Sequence, residues 1–181
     1  MLTSAPGGKV TVPPSAPLSA LPPLVSSRTR LLVLGSFPGV ASLKAQQYYG
    51  HPQNHFWRIL QAIWPDGPID MGASSYKIRS EWLLLKKLGV WDVYAACERQ
   101  GSLDSKIRHP VLNDFSLIGR WCPELQAIAH NGGESFKHSK VSSLLGLPVY
   151  RLPSTSPANA SWSFERKLAA WREIFEKHGL V

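Results

Sequence analysis

Four short apolar runs along the chain predict buried strands. They span residues 30–34, 89–94, 125–130 and 148–152. Each run is followed by turn or polar residues, as expected where a strand ends. Patterns with helical spacing fall between them, over residues 54–64, 76–88, 113–121 and 133–145. Strands that alternate with helices are typical of a parallel sheet covered on both faces. We therefore predict an α/β fold with a central, four-stranded, mainly parallel sheet flanked by helices.

The clearest helix lies near the C-terminus. Its apolar positions recur at helical spacing and form one stripe, which indicates core packing. They are Phe164, Leu168, Trp171 and Phe175. Ser163 can cap this helix, Glu165 lies in its first turn and Gly179 ends it. A solvated face explains most of the cationic positions outside the stripe, which are Arg166, Lys167, Arg172 and Lys177.

The first residues differ in composition from the rest of the chain. Residues 1 to about 27 are rich in Pro, Ser, Ala and Gly and lack the layout of a secretory signal. Because such a composition cannot bury a core, we predict a disordered tail over residues 1–20 and a single domain over 21–181. The 181 residues, 44% of them hydrophobic, suffice for one sizeable core. No apolar run reaches the length of a membrane span.

The charge of the chain bears on its partners. There are 20 Lys and Arg against 12 Asp and Glu, a formal net charge of +8. A basic surface favours a polyanion because phosphate neutralisation releases counterions, although the same charge also serves solubility. The two cysteines, Cys97 and Cys122, show no metal spacing, and we predict buried, reduced thiols as in cytoplasm. The six histidines are scattered. We therefore expect no metal and no cofactor.

The candidate chemistry is concentrated between residues 31 and 60. The first apolar run stops at Gly35-Ser36-Phe37-Pro38-Gly39, a turn that can bring backbone close to a ligand or simply join a strand to a helix. Aromatic and neutral hydrogen-bonding side chains crowd into the next loop. They are Tyr48, Tyr49, His51, Asn54, His55, Phe56 and Trp57. Such a mixture suits a flat, uncharged ligand with polar edges, such as a nucleobase. In open parallel sheets such ligands bind beyond the carboxyl ends of the strands.

Five segments of this chain resemble the uracil-DNA glycosylase superfamily. They are GSFPG, YYGHPQNHFWRIL, WDVYAACERQGSLDSKI, HNGG and STSPAN. Within the superfamily the resemblance is strongest to the hypoxanthine-DNA glycosylase branch, and GHPQNHFW is also similar to mismatch-specific uracil-DNA glycosylases. The resemblance covers the chain from about Leu21 to its end. It implies the three-layer fold of that superfamily. It also implies a monofunctional DNA glycosylase that hydrolyses the N-glycosidic bond of deaminated bases, hypoxanthine or uracil or both, in double- or single-stranded DNA, and so starts base excision repair.

The resemblance also implies roles for individual residues. Tyr49 stacks on the extruded base, Asn131 reads its edge, and Ser36 and Phe37 bind it from the turn. Phe37 stands where mismatch-specific uracil glycosylases carry the Asn that holds the attacking water. The resemblance therefore gives that catalytic role to Asn54. Asn54 as a cap of the following helix is the competing interpretation, and one carbonyl oxygen cannot easily serve both roles.

The remaining implied residues contact DNA or support the site. A loop after the fourth strand touches phosphate and wedges into the duplex. Its residues are Ser154, Ser156, Pro157 and Asn159. His51 and Asp104 support the site, although Asp104 can equally cap a short helix. No Lys lies at a Schiff-base position within the motif loops, so a lyase step is not expected. We expect a monomer in the cytoplasm with no membrane contact.

Two other classes of protein compete with this interpretation. One is a nucleic-acid-binding protein of the same fold that has lost the chemistry, and Phe37 is the feature in its favour. The other is a hydrolase of small nucleosides, which the basic charge and the wedge loop disfavour. Hypoxanthine and uracil share a lactam edge, so Asn131 does not decide between them.

Overall fold

Two sheets and seven α-helices organise the part of the chain that the computed structural model describes, residues 16–68 and 75–181. The strands are β1 (Leu18–Ser19), β2 (Leu31–Gly35), β3 (Leu88–Asp92), β4 (Tyr94–Glu98), β5 (Arg108–Leu112), β6 (Ala127–Asn131) and β7 (Val149–Leu152). The helices are α1 (Val40–Ala45), α2 (Phe56–Ile63), α3 (Tyr76–Leu85), α4 (Ile118–Trp121), α5 (Gly133–Phe136), α6 (Ser139–Ser143) and α7 (Phe164–Lys177). Short 3-10 helices cover Asp104–Lys106 and Phe115–Leu117.

The central sheet has four parallel strands in the order β3-β2-β6-β7. Every residue of β2, β3 and β6 is buried. Strands covered on both faces are apolar along their whole length rather than at alternate positions, which is why the four runs were visible in the sequence. The predicted sheet is confirmed, with all four strands in place.

Helices cover both faces of this sheet. Successive residues of a strand point to opposite faces, and accordingly Val33 belongs to one core cluster while Leu32 and Leu34 belong to the other. The Val33 side contains α2, α3 and α7, with Trp171 and Phe175 fully buried. The α7 stripe is therefore confirmed as core. The fold is the three-layer α/β arrangement expected for the superfamily.

Helix α7 begins as the sequence predicts, but one of its charged residues is buried rather than exposed. The Ser163 hydroxyl accepts a hydrogen bond from the Arg166 N–H at 3.3 Å, and Glu165 lies in the first turn. Gly179 adopts a left-handed φ of 65° just beyond the last turn. Lys167, expected on a solvated face, is only 1% exposed. Its burial results from the loop after β7, which folds over this side of the helix.

The second sheet was not predicted. It is antiparallel in the order β1-β4-β5. The run predicted as one strand over 89–94 divides at Val93, so that β3 ends at Asp92 and β4 starts a different sheet at Tyr94. Strand β5 is exposed at every position and its pairing with β4 contains register shifts. No apolar alternation marks such a strand.

Two predicted helices are broken. Residues 133–145 form α5 and α6 rather than one helix, and residues 113–121 start as a 3-10 helix. The break between α5 and α6 follows from tertiary bonding. His130, buried at the end of β6, bonds to Ser135 of α5 through Nδ1 at 2.7 Å and to Ser142 of α6 through Nε2 at 2.8 Å.

The N-terminal boundary differs from the prediction. Residues 16–20 were placed in the tail, yet Leu18 and Ser19 pair with Cys97 and Ala96 of β4. Leu21 is 5% exposed and belongs to the core. This segment is ordered because it completes the open edge of β4. The disorder predicted for residues 1–15 concerns a segment outside the described residues.

Cys97 and Cys122 are buried and unpaired, as predicted. Among the helices of residues 16–68 and 75–181, none is long and apolar enough to cross a membrane.

Candidate active site

One cavity of about 920 Å³ lies at the carboxyl edge of the central sheet. The strands supply its floor through Gly35 of β2, Asp92 of β3, Asn131 of β6 and Leu152 of β7. Every residue that the sequence analysis assigned to the site lines this cavity. They are Ser36, Phe37, Tyr49, His51, Asn54, Asp104, Asn131, Ser154, Ser156, Pro157 and Asn159. A volume of this size accommodates a nucleobase together with its sugar.

Tyr49 offers one face of its ring to the cavity. The other face stacks on Phe56, with ring centroids 4.0 Å apart and an interplanar angle of 26°. Phe56 is fully buried, so it gives Tyr49 a rigid backing. The Tyr49 backbone has φ of 54°, a left-handed conformation that is unusual for a bulky residue. Its hydroxyl is buried near Asp92 and the Asn131 side chain, and burial raises the pKa of this phenol.

Asn54 is half-buried and directly precedes His55, the N-cap residue of α2. Its Oδ1 accepts a hydrogen bond from the N–H of Phe56, the first helical residue, at 2.9 Å. This bond satisfies one free N–H at the start of the helix, as capping requires, from the position before the N-cap. It does not exhaust the side chain, because an amide oxygen has two lone pairs and the amide nitrogen carries two further donors. The cap fixes the orientation of the amide at the cavity wall.

The side-chain amide of Asn131 binds Thr155. Its Oδ1 accepts from the Thr155 N–H at 3.0 Å, and its Nδ2 donates to the Thr155 Oγ1 at 2.9 Å. Asn131 is 9% exposed and Thr155 only 1%. One lone pair and one N–H of the amide are left for other partners. The Thr155 carbonyl also accepts from the His55 N–H at 2.9 Å, which ties the loop before α2 to the loops that follow β6 and β7.

His130, next to Asn131, is a structural residue. It is fully buried between Ser135 and Ser142, and burial lowers its pKa to about 4. A neutral imidazole therefore joins α5 and α6 to the end of β6.

The turn after β2 is held from outside by the segment after β4. The Ser36 hydroxyl donates to Asp104 Oδ1 at 2.8 Å, and the Ser102 hydroxyl accepts from the Val40 N–H at 2.9 Å. The Arg99 guanidinium donates to the Pro38 carbonyl and lies 5.1 Å from the centre of the Phe37 ring. Phe37 is 6% exposed and its ring belongs to a core cluster, so this side chain supports the turn from beneath.

The loop after β7 is rigid through its own side chains. The Ser154 hydroxyl accepts from the Ser156 N–H, and the Ser156 hydroxyl accepts from the Ala158 N–H, both at 3.2 Å. The Asn159 amide donates to the Ser154 carbonyl at 3.1 Å. Pro157 and Ala158 form an exposed tip.

Three further contacts place this loop against the protein. Gly132, at φ of 100°, allows Ser154 to approach so closely that an added Cβ would lie 2.9 Å from the Ser154 Cβ. From α7, the buried Lys167 ammonium donates to the Ser156 carbonyl at 3.4 Å, and burial lowers its pKa. The Trp171 indole N–H donates to the Pro153 carbonyl at 3.1 Å.

Two proteins named hypoxanthine DNA glycosylase are similar to this chain over most of its length. The one from Methanosarcina barkeri (strain Fusaro / DSM 804) is 36% identical over 156 residues, which are 86% of this chain and 96% of that protein. The one from Methanosarcina acetivorans is 35% identical over 154 residues, 85% of this chain and 95% of that protein. No family model matches the chain.

A solved structure agrees with these relatives. The solution NMR structure of a candidate uracil DNA glycosylase from Methanosarcina acetivorans superposes with a TM-score of 0.79 at 33% identity. The match covers 91% of this chain and 99% of that one. The chain belongs to the hypoxanthine-DNA glycosylase family. The membership places it in the uracil-DNA glycosylase superfamily, as its motifs suggested.

The cavity of this family member contains residues that the sequence analysis did not assign. Among them are Asp92, Ser102, Arg151, Thr155 and Trp162. The rule that places ligands at the carboxyl ends of strands could have identified Asp92, which ends β3. The others had no comparable signal, because Ser, Thr and Arg are ordinary loop residues.

Asp92 has an unusual environment. It is 4% exposed, and its Oδ2 has no hydrogen-bond partner among the described residues. Burial and the nearby Asp104 raise its pKa to about 7, against the opposing effect of Arg99. Within residues 16–68 and 75–181, no group of three or more His, Cys, Asp and Glu side chains is arranged to hold a metal ion.

Proposed function

We propose that this chain is a monofunctional DNA glycosylase that releases hypoxanthine, and secondarily uracil, from DNA. The observation that carries the proposal is that three features meet at one cavity. They are the aromatic ring of Tyr49, the amide of Asn54 and the Ser/Pro loop after β7. The chain that contains them is 36% identical to a protein named hypoxanthine DNA glycosylase. Such an enzyme acts on deaminated bases and starts base excision repair.

Tyr49 receives the extruded base. An enzyme that acts on a base inside a duplex must first take it out of the stack, which costs a few kcal/mol. Stacking on an aromatic ring returns about 1–3 kcal/mol per base. Because Phe56 occupies one face of Tyr49 and is itself fully buried, only the cavity face is open to the base. The left-handed backbone at Tyr49 supports this role, since such strain persists mainly at functional sites.

Asn54 holds the attacking water. The Phe56 N–H takes one lone pair of its Oδ1 and so orients the second lone pair and the amide N–H groups. A water bound there is fixed without a further loss of entropy at the moment of reaction. Capping and catalysis are then compatible in this geometry, because the cap orients the group that holds the water.

The reaction balances without a covalent intermediate on the enzyme. The bond between C1′ and the base nitrogen breaks, and its electron pair leaves with the base. The hydroxyl of the water adds to C1′, and the released proton ends on the base. No lysine among the described residues lines the cavity, which supports hydrolysis over Schiff-base chemistry.

The loop after β7 meets the DNA backbone. Its N–H groups and hydroxyls suit phosphate oxygens, and the tip at Pro157 and Ala158 is exposed enough to enter the space that the base leaves. Arg151, also exposed, adds positive charge at the cavity rim. The net charge of +8 suits a polyanion. We propose that the protein works as a monomer in the cytoplasm, where its unpaired thiols stay reduced.

The decisive experiment uses matched oligonucleotides that carry one deoxyinosine, deoxyuridine or deoxyxanthosine, single-stranded and in duplex. The proposal expects release of hypoxanthine at the highest single-turnover rate, with strand breaks only after alkali treatment. Strand breaks before alkali would contradict the monofunctional mechanism. Specific binding without release of any of the three bases would instead establish a non-enzymatic DNA-binding protein of this fold.

A further inference from the structure

The floor of the cavity contains a buried polar atom that nothing in the described chain satisfies, Oδ2 of Asp92. The buried Tyr49 hydroxyl next to it has only the Asn131 side chain as a neighbour that lowers its pKa by hydrogen bonding. Both groups surround Gly35: a Cβ added there would lie 2.5 Å from Asp92 Oδ1 and 3.4 Å from the Tyr49 hydroxyl. A buried polar atom without a partner costs about 1–3 kcal/mol. The cavity floor is therefore incomplete without a polar ligand.

The position of Asp92 connects this floor to the extruded base. Asp92 is the last residue of β3, beside the end of β2, and its side chain lines the cavity together with Tyr49. A base stacked on the Tyr49 ring would lie in the cavity that Asp92 also lines. Asp92 and Asp104 are the acidic residues of the cavity, and of these Asp92 ends a strand and is only 4% exposed.

We infer that Asp92 is a base-contacting residue, and that it meets the extruded base as a neutral carboxylic acid that donates a hydrogen bond to an acceptor on the base. The inference rests on the function proposed above and adds a residue to which no role had been assigned. A donor in this place stabilises the electron pair that moves onto the leaving base. The other carboxyl oxygen can accept from a base N–H.

The charges around Asp92 favour an uncharged ligand and a protonated Asp92 carboxyl. The Asp104 carboxyl disfavours ionisation of Asp92, whereas the Arg99 guanidinium favours it. The phenols of Tyr48 and Tyr49 also lie close to Asp92. Burial outweighs Arg99, so the pKa of Asp92 rises to about 7. Two carboxyls at one floor disfavour a phosphate there and favour an uncharged base. Asp104, which accepts from Ser36, is the member of the pair with a partner that stabilises its charge.

Substitutions at Asp92 separate a neutral donor from a charge. Asp92→Asn retains the shape and offers a donor and an acceptor at every pH. Asp92→Leu fills a similar volume without polar atoms. Glu173→Gln is the matched control, because it makes the same carboxyl-to-amide change at an exposed position of α7. His51, which also lines the cavity, is present in all variants, so any contribution from it appears in every profile.

The test is calorimetric titration of the intact protein with free hypoxanthine at pH 6 and pH 8. For a carboxyl with a pKa of about 7, the fraction in the neutral form falls roughly tenfold between pH 6 and pH 8. We expect the affinity of the wild-type protein and of Glu173→Gln to fall about tenfold, and that of Asp92→Asn to fall less than threefold. Asp92→Leu should bind at least tenfold more weakly than wild type at pH 6.

Several results would overturn the inference. They are a pH profile of Asp92→Asn parallel to that of wild type, an affinity of Asp92→Leu within threefold of wild type, or no binding of hypoxanthine by the wild-type protein at either pH. If thermal melting reports that Asp92→Leu is unfolded, the comparison of wild type with Asp92→Asn decides alone. Base binding does not depend on cleavage, so a failure of the proposed excision activity is visible separately in the oligonucleotide assay.

Discussion

The amide of Asn131 binds Thr155 through both of its polar atoms, at 3.0 Å and 2.9 Å. This pair joins the end of β6 to the loop after β7, and the same Thr155 reaches the loop before α2 through its carbonyl. The two sequence segments HNGG and STSPAN are thus physically one unit. Asn131 therefore has a structural task in addition to the base reading proposed for it.

Thr155→Val should lower the free energy of unfolding by about 1–3 kcal/mol, because it leaves the buried Nδ2 of Asn131 with one partner fewer. Asn131→Ala should cost more, since it breaks both bonds. Urea unfolding of the two single variants and the double variant measures their coupling, expected at about 0.5–3 kcal/mol. Strict additivity would contradict the pairing.

Asn131→Asp distinguishes the two tasks of this residue. A carboxylate can still accept from the Thr155 N–H and from its hydroxyl, so the fold should be retained. It loses the N–H donor that an amide offers to a base. We expect a stable protein with excision reduced at least tenfold, and an excision rate equal to wild type would leave Asn131 with the structural task alone.

Tyr49→Ala should weaken recognition of deoxyinosine DNA by about 1–3 kcal/mol, the value of one base–aromatic stack. Binding to undamaged duplex should change little, because it depends on Lys and Arg at phosphates. Tyr49→Phe is the matched control and should stay near wild type, since it retains the aromatic ring that stacks on the base. Binding curves at one salt concentration measure both. Equal losses on damaged and undamaged DNA would place Tyr49 in the core only.

A chain that starts at residue 16 should unfold like the full-length protein, whereas one that starts at Pro22 should be less stable. The shorter chain loses the pairing of β1 with β4 and the buried Leu21 side chain. Leu21→Ala in the full-length chain isolates the second effect, with an expected cost of about 2–5 kcal/mol. Equal melting temperatures for the two truncated chains would contradict the domain boundary found here.

The ionisation of Asp92 should make the protein less stable as pH rises. Its folded pKa of about 7 lies above the value of about 4 for an unfolded aspartate, so the folded state holds the extra proton between these limits. Stability is fully present below pH 4 and is lost as pH rises through 7. The loss is at most about 1.4 kcal/mol per pH unit. Asp92→Asn should not show this loss of stability, because an amide does not ionise.

Urea unfolding of wild type and Asp92→Asn at pH 5, 6, 7 and 8 measures this difference. The gap in favour of the amide variant should widen up to pH 7 and then stay constant. A gap that is constant from pH 5 onward would mean that Asp92 is already ionised in the folded protein.

The central sheet could be predicted from sequence because its strands are buried on both faces and are therefore continuously apolar. The second sheet could not, since β5 is exposed at all five positions and pairs irregularly. All assigned site residues do line one cavity, because loops at the carboxyl edge of a parallel sheet converge. The sequence did not show which side-chain atoms are in contact. The Thr155 contacts and the burial of Lys167 depend on tertiary packing, whereas the local bond of Asn54 at the start of α2 was among the sequence-based interpretations.

Single-turnover release of hypoxanthine from a deoxyinosine duplex by Asn54→Ala tests the central claim most directly. Loss of the cap costs about 1 kcal/mol of stability, so the assay is run well below the melting temperature. Asn54→Ser retains a capping hydroxyl and reports on the cap alone, and the exposed neighbour change Gln53→Ala serves as a second control. We predict that Asn54→Ala and Asn54→Ser lose more than tenfold in rate with duplex binding near wild type, while Gln53→Ala is unaffected. A rate for Asn54→Ala above about a tenth of wild type, a barrier change below about 1.4 kcal/mol, would contradict the claim that Asn54 holds the attacking water.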